Sequence, residues 1–190
     1  MSQQININQF KKDGFIILRN IFTEEQVNNF RNFIKNKVMA DLGDKKLNWK
    51  DLEQKNLKDV LSYSEISDAI LNKKLIDSIR HLLNGDPVYW GYSSFRWNEK
   101  AYRSFHNDAK NDQNCPFSSN YPLLRIGIYL QDHSKFSNGL KVWKGSCHTL
   151  RYGRTMLRKI FFNNGSLRYL FPQQLYSSVN VDTQIGDVVV

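Results

Sequence analysis

A chain of 190 residues with 41% hydrophobic side chains can bury one core without metal or disulfide staples, so one globular domain is expected. No window approaches the roughly 18 consecutive apolar residues of a bilayer span, which excludes a membrane helix, and the isolated pair Cys115 and Cys147 reads as free thiols of a cytoplasmic protein. Twenty-seven basic against 18 acidic residues leave a formal charge of +9, most of it in the last hundred residues, which could hold an anion but does not by itself identify a partner.

In chain order, Asp13-Gly14 precedes a short buried strand, Phe15-Ile16-Ile17-Leu18, that ends at Arg19-Asn20. Thr23 and Gln26 stand in capping-box positions, and Glu24 and Glu25 suit the positive end of a helix dipole. Val27, Phe30, Ile34 and Val38 then recur at helical spacing. From Leu42 to Lys58 the composition is polar, anchored by Trp49 and Leu52, and reads as an exposed connection. Two further helices are predicted, roughly Glu65 to Leu71 and Lys73 to Leu83, the second with Leu75, Ile76, Ile79, Leu82 and Leu83 on one face. Asn84-Gly85 closes it, with the glycine expected in the left-handed conformation.

Beyond Pro87 the pattern turns strand-like. Val88 to Tyr92 and Ser94 to Trp97 are rich in aromatic residues, which core packing explains more simply than base stacking on nucleic acid. Later strands are predicted at Tyr121 to Gln131, Gly139 to Trp143, near Val179 and at Asp187 to Val190. Helices first and antiparallel strands second give an α+β domain in which helices buttress one face of a sandwich or barrel. The basic run Arg151, Arg154, Arg158, Lys159 and Arg168 contains no acidic residue, so it reads as a solvated surface or an anion-holding one.

The sharpest chemical signal is Phe105-His106-Asn107-Asp108. In an extended segment residues two apart project to the same side, so His106 and Asp108 can offer an imidazole nitrogen and a carboxylate oxygen to one metal ion. That supplies two members of a 2-His-1-carboxylate triad. A solvated surface turn is the competing reading of so short a motif. His81 falls in a helical pattern, while His133 and His148 flank a strand-turn-strand segment, so none of the three is read as a ligand. Arg125, Gly127 and Tyr129 alternate with Leu124, Ile126, Ile128 and Leu130. If the apolar set meets the helices, Arg125 and Tyr129 face a cavity and become candidates for contacting a cofactor or substrate, with a structural ion pair for Arg125 and a core aromatic for Tyr129 as the competing readings.

Leu124 to Ser134, followed by Ser137-Asn138-Gly139-Leu140-Lys141-Val142-Trp143-Lys144-Gly145-Ser146-Cys147-His148, resembles the phytanoyl-CoA dioxygenase family. The shared pattern is a strand ending in Leu-x-Asp, a turn, a strand and a Gly-Ser-His corner, here interrupted by Cys147. Asp13-Gly14-Phe15 leading into a Thr-Glu-Glu helix also resembles the family's opening. The resemblance implies a double-stranded β-helix, the cupin-like jelly roll, with N-terminal helices against one sheet. It also implies Fe(II) held by His106 and Asp108, 2-oxoglutarate as co-substrate, and hydroxylation of a small-molecule substrate. Gln184-Ile185-Gly186-Asp187 followed by three valines resembles the lead-in to the family's late strand. In the family the last iron-binding histidine and the arginine that anchors 2-oxoglutarate follow such a segment, so the chain is expected to stop before both and to lack its last strands: either the 190 residues are a fragment of a longer reading frame, or the protein lacks the third ligand and the anchoring arginine and is catalytically compromised. The alternative is a chemically silent, basic jelly-roll module that binds an anionic ligand or nucleic acid.

Overall fold

A computed structural model of the chain describes residues 5–42, 59–89, 93, 124–132, 140–145 and 178–190. Its contacts form two compact units, one of Met1–Arg19 with Ser104–Val190, the other of Asn20–Arg103.

The first unit opens with helix α1, Ile7–Asp13. Asn6 caps it by accepting the Gln9 N–H at 2.9 Å. Gly14 ends it at φ 81°, and its N–H donates to Phe10 O at 2.8 Å, an arrangement that glycine adopts without steric cost. The sequence reading passed over this helix. Seven residues are too few to display an apolar period, although Asn6, Gln9 and Gly14 carry the start and stop chemistry.

Strands β1 (Ile17–Leu18), β2 (Gly127–Ile128) and β5 (Val188–Val189) form an antiparallel sheet in the order β1-β5-β2. In the register, Ile17 faces Val189 and Leu18 faces Val188, while Gly127 and Ile128 face the same two valines from the other edge. Ile16 and Val190 extend the ladder by exchanging two N–H···O bonds of 2.9 Å. As the middle strand, β5 is covered on both faces, with Val188 at 0% and Val189 at 6% exposure, which is why it reads as an unbroken valine run. A turn sets its start: Asp187 N–H donates to Gln184 O at 3.1 Å and Gly186 stands at φ 87°, the left-handed third position that a type II turn requires. A second antiparallel pair joins β3 (Leu140–Trp143) to β4 (Ser178–Val181), with Leu140 opposite Val181 and Trp143 opposite Ser178.

The structure is therefore a mixed helix and sheet fold with antiparallel strands, as the sequence predicts, though the strands are shorter than the patterns that announced them. Among residues 124–132 the strand itself is limited to Gly127–Ile128, and Ile126, just before it, is 44% exposed. The apolar alternation there does not make a continuous buried face.

The second unit is helical among its described residues. Helix α2, Glu24–Leu42, starts with a reciprocal capping box in which Gln26 N–H donates to Thr23 Oγ1 at 3.2 Å and Thr23 N–H to Gln26 Oε1 at 2.9 Å. Its predicted inner face is buried at Val27, Phe30 and Ile34, and Phe30 meets Phe22 edge to face with centroids 5.3 Å apart. A short 3-10 turn, Val60–Ser62, leads to α3 (Ser64–Ile70) and α4 (Lys73–Leu83). Leu75, Ile79 and Leu82 are buried, as their spacing predicts.

Two expectations need correction. The left-handed residue after α4 is Asn84 at φ 54°, not Gly85; both N–H groups turn onto Arg80 O, and asparagine tolerates this conformation because its side chain is short and polar. Val88 and Tyr89 are not in a strand and are exposed, Val88 at 91%, so core packing does not account for these two. The connection from 43 to 58 and the aromatic stretch from 94 to 97 lie outside the described residues. Among the described residues, no helix is long and apolar enough to cross a membrane.

Candidate functional site

Alternation along β2 puts Gly127 and Tyr129 on one side of the chain and Ile128 on the other. Tyr129 continues the ladder beyond the strand, its N–H donating to Asp187 O at 3.4 Å. The Tyr129 ring lies back over Gly127, and a Cβ at that glycine would stand 3.1 Å from Tyr129 Cε2 and 3.7 Å from both Cζ and Oη. The phenol oxygen therefore sits above residue 127. Arg125, two residues earlier, is exposed, while Tyr129 is half-buried.

Two ion pairs join distant parts of the first unit. Asp187 is wholly buried, and its Oδ2 takes Arg19 Nη1 at 2.6 Å and the Gln184 N–H at 2.8 Å. Arg19 Nη1 also donates to Asp182 O at 2.8 Å, so one guanidinium ties β1 to both ends of the 182–187 loop. At the end of β3, Lys144 Nζ reaches the buried Asp13 Oδ2 at 2.9 Å, and Gly145 N–H donates to Asp13 O at 2.8 Å. Burial by itself would raise the Asp13 carboxyl, but hydrogen bonds from Gln9 and Lys144, with the charges of Lys144 and Lys12, outweigh it and hold the pKa below its ordinary value.

The second unit has a polar cluster of its own. Asp59 accepts the Ser93 and Tyr89 hydroxyls and the Leu61 N–H, the last at 3.3 Å. The hydrogen bond from Ser93, then that from Tyr89, lowers the Asp59 pKa against the cost of burial. This ties residues 89 and 93 to the start of the 3-10 turn.

Of the residues singled out from sequence, Arg125 and Tyr129 are thus placed, and His81 lies on the exposed side of α4. His106, Asp108, His133, His148 and the basic residues 151–168 lie outside the described residues. Among the described residues no group of three His, Cys, Asp or Glu side chains could hold a metal ion. Sequence reasoning missed Arg19 and Asp13 as strand ties, because each pairs with a residue more than a hundred positions away and no local pattern announces that.

No protein-family model and no curated protein matches the sequence. By fold, the chain is similar to AviO1 from Streptomyces viridochromogenes Tue57, with a TM-score of 0.56 and 16% identity over 96% of this chain and 80% of that one. It is also similar to HygX from Streptomyces hygroscopicus, solved with nickel and 2-oxoglutarate bound, with a TM-score of 0.53 and 14% identity over 98% of this chain and 77% of HygX. At these identities the likeness is one of fold.

Proposed function

We propose that the chain is an iron(II)- and 2-oxoglutarate-dependent oxygenase of a small, anionic substrate, built on a jelly roll with helical support like that of the phytanoyl-CoA dioxygenase family. The observation that carries the reading is the fold likeness to HygX over 98% of the chain, since that structure holds a metal and 2-oxoglutarate together. The His106-Asn107-Asp108 spacing then gives this chain two of the ligand types that such a metal takes.

In this reading His106 and Asp108 hold the metal. Arg125 and Tyr129 donate to a carboxylate of 2-oxoglutarate and fix its orientation. With metal, 2-oxoglutarate and oxygen bound, the site supplies oxidative decarboxylation to succinate coupled to hydroxylation of a substrate C–H bond. The chain's own part is to orient the groups and keep competing water out. Anaerobic calorimetry with iron(II) tests the ligand pair. One saturable site is expected in the native chain, with loss of binding in His106→Ala and in Asp108→Ala. Metal uptake undiminished in both variants would refute it.

A further inference from the structure

Gly127 has no conformational reason to be glycine. Its φ is not among the left-handed ones, which among the described glycines fall at Gly14, Gly145 and Gly186. It lies in the paired strand β2, where a β-branched residue ordinarily serves better and where glycine weakens the ladder. What the missing side chain leaves room for is specific: beyond its own chain neighbours, the three heavy atoms nearest to a Cβ at this position all belong to the Tyr129 side chain, at 3.1, 3.7 and 3.7 Å. Side chains in strands stand off the sheet and lean along it. Tyr129 leans back toward the residues that precede it, so its hydroxyl stands over residue 127, on the Arg125 side of its own Cα.

We propose that Gly127 is a positioning residue, whose lack of a side chain lets the Tyr129 ring lie over β2 and sets the phenol hydroxyl where it can share one carboxylate with Arg125. The part concerning the carboxylate rests on the reading of Arg125 and Tyr129 given above. An alanine at 127 is allowed by the backbone, but its Cβ comes closer to Cε2 than ordinary van der Waals contact. The ring must yield by a few tenths of an ångström or turn to another rotamer, and where it turns the hydroxyl leaves its place. Loss of one hydrogen bond to a charged group corresponds to about tenfold in affinity or more.

The test combines structure and binding. A crystal structure of Gly127→Ala is expected to show the Tyr129 ring displaced from residue 127. Calorimetry of 2-oxoglutarate with the nickel-loaded protein is expected to show about tenfold weaker binding for Gly127→Ala and for Tyr129→Phe, with the double variant no weaker than the worse single one, because both act through the same hydroxyl. An unmoved ring, or native affinity in Gly127→Ala, overturns the role of Gly127 while leaving the site itself standing. Native affinity in both Arg125→Ala and Tyr129→Phe, or no binding by the native protein, overturns the carboxylate site and with it this use of Gly127. Losses that add in the double variant show an effect not routed through Tyr129 and also overturn the proposal. If Gly127→Ala does not fold, Gly127→Ala/Tyr129→Leu must fold, since the obstructing ring is gone. Failure of that variant means that another neighbour excludes the side chain, and the proposal falls.

Discussion

Arg19 and Asp187, 168 positions apart in the chain, form a 2.6 Å ion pair in which the carboxylate is fully buried and the guanidinium is 41% exposed. The pair joins the end of β1 to the start of β5, the strand to which both β1 and β2 attach. The buried carboxylate depends on its donors, since an uncompensated buried charge is among the costlier defects a fold can carry.

Arg19→Met should therefore destabilise the protein by about 2 kcal/mol, less than for a wholly buried pair because water can reach the vacated side. The urea midpoint should fall with little change in slope. A midpoint equal to that of the native chain would show that Arg19 contributes nothing.

The Thr23 capping box satisfies two N–H groups at the start of α2. Thr23→Ala should cost about 1 kcal/mol, read as a lower thermal midpoint, and Thr23→Ser should restore most of it. Equal losses in both variants would point to the methyl group and away from the cap.

Asp13 supplies a pH dependence with a definite sign. Its folded-state pKa lies below the ordinary value of 3.8, so its stabilising contribution is present above that value and is lost as pH falls through the lower, folded-state one. Lys144→Met removes one of the groups responsible. The variant should be less stable than the native chain at pH 6, and the gap should narrow as pH drops below about 4 in chemical denaturation. A gap that stays constant would assign the loss to packing.

The helices were largely legible in the sequence because their signals are local. Thr23 to Gln26 announces α2, and Leu75, Ile79 and Leu82 announce the buried face of α4. The strands were legible as apolar runs, but not their pairing: nothing in Ile17-Leu18 or Gly127-Ile128 says that both attach to Val188-Val189. The end of α4 was placed correctly and its left-handed residue was not, since Asn84 and Gly85 are both able to take that conformation and only the bonds to Arg80 decide. At the candidate site, Tyr129 was read from an alternation whose apolar side is not a continuous buried face, Ile126 being 44% exposed. That the Tyr129 ring lies over Gly127 was invisible, because a ring lying over a neighbour two residues away is a matter of rotamer and not of pattern.

Among these measurements, titration of 2-oxoglutarate into the nickel-loaded protein bears most directly on the proposed function. Saturable binding to one site is expected, lost in His106→Ala and weakened in Arg125→Ala and Tyr129→Phe. An absence of binding, or binding that none of the three substitutions alters, would contradict it.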